Sequence, residues 1–254
     1  TWASAMQATV HMKEMSAIET WAENAAEYLT TGNKRITKDT VVIISSVTGN
    51  TKEVVEAIKK IKEEVGATVI SFVDAKEAIL LDLGDYKISY PVNEQLKFFM
   101  VADRFMFNNG EFEDYEDMYA EFDKYLAQAL VEVEKKAEPF AVEFAKKHWN
   151  DEMHYFVGAG NQWGATYSYA MCYWEEQLWL KTKSITSNEF FHGMFEIVTK
   201  ETPVTIYIGE DAQRPLSERV ANFIPRICEN YTIIDSKDYE LKGISEKYRK
   251  HLSH

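Results

Sequence analysis

Val41-Val42-Ile43-Ile44 is the stretch that most limits what this chain can fold into. Four β-branched residues in a row are too few for a buried helix and have the length of a strand covered on both faces. Ser45 to Glu53 follow as a hydroxyl-rich turn, and then Val54, Val55, Ala57, Ile58 and Ile61 recur at helical spacing. Strand, turn and helix in that order predict a parallel sheet with crossover helices. The turn holds Ser45, Ser46, Thr48, Gly49 and Thr51 where backbone N–H groups open a helix, an arrangement suited to a phosphate or another small anion. The same residues also read as an ordinary helix start, with Thr48 or Asn50 as N-cap and Glu53 completing a capping box.

The remaining pattern extends this unit. An apolar stripe of Met6, Val10, Met15, Ile18, Trp21, Ala25 and Leu29 predicts one helix over 1–30, ended by Gly32-Asn33. A second strand is expected at 67–73, an edge strand within 79–90 with a turn at Gly84-Asp85, and a helix over 93–107. A long helix over 115–148 contains Pro139, which is expected to end or kink it. A second strand-turn-helix begins at His154-Tyr155-Phe156-Val157, passes the turn Gly158-Ala159-Gly160, and continues as an aromatic-rich helix over 165–180. Strands follow at 184–186, 204–209 and 231–235, with a helix over 214–229 after Pro215 and a polar tail from 246. The division is a first half over 1–92, a helical connection over 93–152 and a second half over 153–254. Each half is an α/β unit with a mainly parallel sheet and helices on both faces, whose ligands are expected outside the carboxyl ends of the strands.

Composition excludes several classes of function. A net charge of -13 argues against a nucleic-acid backbone or an anionic membrane as partner. Cys172 and Cys228 are too few and too far apart for a disulfide framework, no apolar run is long enough to span a membrane, and a soluble cytoplasmic protein is expected. The acidic run 111–123 interleaves with Phe112, Tyr115, Tyr119 and Phe122, so it reads as the solvated face of a helix. The Gly158-x-Gly160 turn is a weak dinucleotide signal, because the third glycine of that fingerprint is missing from its place. His148 and His154, with Asp151 and Glu152 between them, have no standard metal spacing, and neither metal nor cofactor is expected.

Two candidate acid–base groups remain. Glu175 and Glu176 interrupt an apolar helical stretch, so one of them is expected to face inward or lie at a helix seam, unless both point to solvent. A partly buried glutamate serves as a general base near neutral pH. His192 lies in Glu189-Phe190-Phe191-His192-Gly193, at a loop-to-helix transition, and suits proton transfer. Neither cysteine has a basic neighbour that would make it a nucleophile.

Taken together, these stretches resemble the sugar isomerase (SIS) family of phosphosugar-binding domains, and within it the fructosamine-6-phosphate deglycases that act on fructoselysine or glucoselysine 6-phosphate. Ser46-x-Thr48-Gly49-x-Thr51 is similar to the family's phosphate loop, and Glu189 to Gly193 with Glu196-Ile197-Val198 is similar to a second family segment. Glu176 precedes His192 by sixteen residues, the interval between the catalytic glutamate and histidine of that family, which favours Glu176 over Glu175. Met194 stands where the family usually has proline, and the family's first strand and its C-terminal tail are expected to lie outside a chain that begins with Thr1.

The resemblance implies two SIS-type α/β/α sandwich halves and a substrate phosphate held by Ser46, Val47, Thr48, Gly49 and Thr51. It implies catalysis by Glu176 and His192, with Thr1, Ser45 and Glu189 as weaker sugar contacts. It implies a small-molecule sugar phosphate as partner, a homodimer or higher homo-oligomer in which the histidine can come from the neighbouring subunit, and no metal. The activity implied is a deglycase hydrolysing a fructosamine 6-phosphate to a sugar 6-phosphate and an amine. An aldose–ketose or amino-sugar phosphate isomerase using the same two residues is the alternative within this class, and a non-catalytic sugar-phosphate sensor the alternative outside it.

Overall fold

In the computed structural model, which describes residues 2–91 and 93–252, the β-branched run opens strand β1 (Val41–Ser46) and the helical stripe after it becomes α3. Two helices precede this strand, α1 (Trp2–Met15) and α2 (Ala25–Thr31), so the single helix expected over 1–30 is broken. The break has a local and a distant cause. Asn24 caps α2, its side-chain oxygen accepting the N–H groups of Ala26 and Glu27. Upstream, the N–H of Ile18 donates to Ser16 Oγ and that of Ala17 to the carboxylate of Glu111, a partner far along the chain.

Helix α3 (Lys52–Lys60) runs into a π-helical turn (Ile61–Val65) closed by Gly66 in the left-handed conformation, and leads to β2 (Thr68–Val73). The expected edge strand within 79–90 divides into a short helix α4 (Ile79–Leu83) and β3 (Tyr86–Ser89). A parallel strand needs a crossover, and Leu80 and Leu81, both buried, supply it on the core side. The three strands are parallel in the order β1-β2-β3. Alternation along β1 builds two layers: Val42 and Ile44 pack with Val55, Ile58, Val69 and Leu80, whereas Ile43 packs with Ala8 of α1 and with Phe98 and Phe99 of α5 (Glu94–Asn108).

The chain divides into two compact units, Thr1–Thr9 with Glu19–Phe105, and Val10–Ile18 with Met106–His254. In the second, α6 (Tyr115–Glu121) and a π-helical turn (Phe122–Leu126) lead into α7 (Ala127–His148). Helix α7 passes through Pro139 without ending. Pro139 lies on an exposed stretch, where water can serve the carbonyl that proline leaves without a helical partner. Strand β4 (His154–Gly158) is followed by α8 (Asn161–Ser168), a π-helical segment (Tyr169–Glu175) and β5 (Thr182–Thr186). A 3₁₀ turn (Glu189–His192), α9 (Met194–Ile197), β6 (Val204–Ile208), α10 (Arg214–Phe223) and β7 (Tyr231–Asp235) complete a parallel sheet in the order β5-β4-β6-β7. The α-helix expected to reach 229 stops at Phe223, because Pro225 turns the chain into a 3₁₀ segment. Val157, Val204 and Ile206 face Phe190, Met194, Val220 and Ile224, while Phe156 faces Phe144, Ala170 and Trp174, so this sheet too is covered on both sides.

The tail is more than a polar end. In α11 (Glu246–Arg249) Tyr248 is buried, and Arg249 pairs with Glu210 just beyond β6, both side chains nearly enclosed. Among the described residues no helix is long and apolar enough to cross a membrane.

A polar knot ties the end of α7 to the start of β4. His148 and His154 each place Nδ1 against Asp151 Oδ2, at 2.7 and 2.8 Å, and His154 Nε2 meets Thr205 Oγ1 at 2.8 Å. The sequence spacing gave no metal signal, yet these three donors lie within 4.8 Å of one another. Both nitrogens meet one oxygen at hydrogen-bond distance, closer than tetrahedral zinc ligands stand to each other, so the groups satisfy one another directly. Phe144, Phe156 and Trp174 pack around His154, and this burial pushes its pKa from 6.5 down to about 4.

The unfolded imidazole therefore takes up a proton near pH 6.5 and the folded one only near 4. Stability is lost across that window as pH falls, by about 3 kcal/mol from this one group. Urea midpoints measured from pH 7 to 4 are expected to fall less steeply for His154→Phe than for the wild type; equal slopes would show that His154 does not carry the effect.

Candidate active site

Strand β1 delivers the hydroxyl-rich turn to the carboxyl edge of its sheet. Ser45 and Ser46 are buried at the strand end, and Val47, Thr48, Asn50 and Thr51 are exposed beyond it. Ser46 Oγ accepts the N–H of Gly49 at 3.0 Å, so this hydroxyl shapes the turn from inside. Gly49 takes a positive φ of 66°, and a Cβ there would lie 2.5 Å from Ala78 Cβ and 2.6 Å from Val73 Cγ1. Only glycine fits.

The capping-box reading of this turn is not realised. Thr51 occupies the N-cap position of α3 without a side-chain cap bond, and Asn50 Oδ1 instead accepts the N–H of Ile79. The start of α3 thus carries the positive end of the helix dipole with exposed threonine hydroxyls beside it and, among the described residues, no side-chain cap, an arrangement whose chemistry suits an anion.

The second glycine-rich turn is built the opposite way. Asp211, buried after β6, accepts the N–H of Asn161 at the start of α8 and that of Gln213. Gly160 (φ 58°) is where the chain passes Asp211, and a Cβ would stand 2.0 Å from the carboxylate. A carboxylate of the protein already occupies the helix N-terminus that a dinucleotide phosphate would need, which removes the weak dinucleotide reading.

Glu176 caps the π-helical segment, its N–H bonding to the carbonyl of Met171, and His192 closes the 3₁₀ turn after β5. The expectation that Glu175 or Glu176 faces inward does not hold, since both are exposed. Trp174 takes the inward position on that turn, and Glu175 accepts a hydrogen bond from Thr182 Oγ1 at 2.6 Å. Thr182 is the first residue of β5 and pairs with His154, the first residue of β4. Glu176 therefore lies at the amino edge of the second sheet. His192 lies past Thr186, at the carboxyl edge, held by buried Phe190 and Met194. The strand between these edges spans about 13 Å.

One chain thus carries the two groups on opposite edges of one sheet and does not bring them together. Ser45 is enclosed in β1, Glu189 is exposed beside Asn188, and Thr1 lies outside the described residues.

Comparison with known proteins agrees with this architecture. Residues 2–104 match the family model described as the SIS domain. A fructosamine deglycase of Bacillus subtilis is 27% identical over 252 residues, covering 95% of this chain and 75% of that protein. A fructoselysine 6-phosphate deglycase of Escherichia coli K12 is 24% identical over 241 residues, covering 91% of this chain and 69% of its own length. A solved Salmonella typhimurium protein, described as a candidate phosphosugar isomerase, superposes with a TM-score of 0.92 at 23% identity, over 100% of this chain and 78% of that one.

The close fit at Gly49 gives a measurable outcome. Gly49→Ala is expected to destabilise the chain by roughly 2–4 kcal/mol, because it combines left-handed strain with overpacking. Gly66→Ala, in the left-handed conformation at φ 75° with open surroundings, should cost only about 1 kcal/mol. Urea unfolding of the two variants compares them directly, and equal losses would mean that the packing around Gly49 yields.

Proposed function

We propose that the chain, which matches the SIS domain model over residues 2–104, is a member of that family and a deglycase hydrolysing an Amadori-type fructosamine 6-phosphate to a sugar 6-phosphate and an amine. The observation that carries this reading is the uncapped start of α3, with Thr48 and Thr51 exposed around a glycine that nothing can replace. The names of the deglycase relatives supply the class of substrate. The substrate phosphate would be held by Thr48 and Thr51 with the backbone N–H groups of the turn, while Ser46 and Gly49 keep the turn in shape.

The chemistry would fall to Glu176 and His192. His192 would pass a proton to the ring oxygen as the anomeric hydroxyl loses one, opening the sugar. Glu176 would take a proton from C1 as the C2 oxygen gains one, giving an enaminol, and return its proton at C2 as the amine nitrogen gives up its own, which leaves a C1=N imine. Water then adds at C1, the C–N bond breaks, and the amine leaves with a proton while C1 becomes the aldehyde. Exposure of Glu176 allows it to meet a substrate, and closure of a second surface over it would supply the desolvation that a general base needs.

Because the two residues stand on opposite edges of one sheet, we assign His192 at each site to a second copy of the chain, in a homodimer with two shared sites. We propose a cytoplasmic setting for it, in keeping with the two free thiols, Cys172 and Cys228. A net charge of -13 leaves small phosphorylated molecules, gathered at a local anion site, as better partners than nucleic acid.

Incubation with fructoselysine 6-phosphate should release lysine and an aldose 6-phosphate; interconversion of sugar phosphates without amine release would assign an isomerase instead. Glu176→Gln is expected to lower kcat by about 10²–10⁴ while phosphate binding persists. Mixing inactive Glu176→Gln and His192→Asn chains should restore about a quarter of wild-type activity, because half of the dimers are mixed and each of those regains one of two sites. No recovery after confirmed subunit exchange would place both residues in one chain's site.

A further inference from the structure

The anion turn does not hold its shape alone. Its outer wall is the segment that follows β2, and the ladder continues past the strands to join them. Asp74 N–H donates to the carbonyl of Ser46 at 3.3 Å, Ala75 N–H to that of Val47 at 3.2 Å, and Leu80 N–H to that of Gly49 at 3.1 Å. Ile79 N–H donates to Asn50 Oδ1 at 3.1 Å, and Val73 and Ala78 press on Gly49. Four positions around the turn, Ser46, Val47, Gly49 and Asn50, are thus placed by residues 73–80.

That wall is in turn held by a buried ammonium. Lys97, in the first turns of α5, is 8% exposed; its Nζ donates to Asp74 Oδ1 at 2.9 Å and to the carbonyl of Tyr90, just beyond β3. Ser89 Oγ adds a bond to the carbonyl of Ala75 at 3.1 Å. An ammonium taken out of water is costly unless it is paired and hydrogen-bonded, and here its two acceptors are the ends of neighbouring strands. Its side chain therefore ties the carboxyl ends of β2 and β3 together next to the turn.

We infer that Lys97 is a positioning residue for the anion turn: by clamping Asp74 and Tyr90 it fixes the wall whose N–H groups set Ser46 to Asn50 in the shape that receives a phosphate. This rests on the phosphate reading of the turn. Lys97 acts through Asp74 and the backbone, so its removal should loosen ground-state phosphate binding and leave the proton transfers alone.

The test is binding of inorganic phosphate and of fructose 6-phosphate by calorimetry, for the wild type, Lys97→Met and Lys97→Arg, with circular dichroism and thermal unfolding to confirm folding. Lys97→Met is expected to bind both about tenfold more weakly, and Lys97→Arg, which can still bridge the two acceptors, to recover most of the loss. With a turned-over substrate, KM should rise while kcat stays within about twofold, the pattern for lost uniform binding. If Lys97→Met does not fold, the pair Lys97→Met with Asp74→Asn removes both charges and should show the same weakening. A wild type that binds neither ligand would overturn the phosphate reading itself. A wild type that binds, beside a folded Lys97→Met or double variant that binds equally well, would overturn the role of Lys97 alone.

Discussion

Parallel pairing of strands gives each sheet a direction, and the placement of every candidate functional feature follows from it. With all strands of a sheet pointing one way, each strand leaves at the same edge and each crossover helix returns to the other. The turn after β1 is therefore bound to stand at a carboxyl edge, where helix α3 begins and its dipole is positive. Helix α8 and its π-helical continuation start at the carboxyl edge of the second sheet and end at the amino edge, carrying Glu176 with them. His192, one strand later, returns to the carboxyl edge. A separation that looks like a short interval in sequence becomes the full height of a sheet.

Buried charge is handled by the same principle throughout, pairing at strand ends. Asp211 takes the N-terminus of α8, Arg214 reaches Asp235 and the carbonyl of Gly209, Arg249 closes on Glu210, and Lys97 on Asp74. Each of these groups would be costly alone in the interior and is held by more than one hydrogen bond. They differ in what they leave open. Asp211 fills one helix N-terminus, whereas no side chain caps α3, and that difference makes the two glycine-bearing turns unlike despite their shared strand-turn-helix plan.

Much of this was legible in the residues. The β-branched runs at 41–44, 67–73, 204–208 and 231–235 are strands because alternation and branching have few other solutions in a covered sheet. The stripe Val55, Ala57, Ile58 and Ile61 is the buried face of α3 for the same local reason. The failures were nonlocal. The chain leaves the helix after Met15 where Glu111, far along the chain, takes the hydroxyl of Ser16 and the N–H of Ala17, and a pattern of apolar residues carries no trace of that partner. Pro139 sits inside a helix because its side of α7 is wet, and exposure belongs to the packed chain. Lys97 and Asp211 had no sequence signal, since each gains its meaning from a residue on another element.

The residues alone were enough to set the parallel α/β class and the strand-turn-helix order, because hydrophobic period is a local property, while Ser46, Thr48, Gly49, Thr51, Glu176 and His192 became candidates through their resemblance to family segments. They left the turn at 45–53 open between a cap and an anion site, and they left the inward-facing member of the pair Glu175 and Glu176 unassigned. Packing decided the local geometry of each: Asn50 is drawn away to Ile79 so that the cap is not formed, and Trp174 takes the inward position so that both glutamates face water. Such outcomes depend on which surfaces meet once the sheets have formed, and that is a property of the folded chain that no single stretch of it contains.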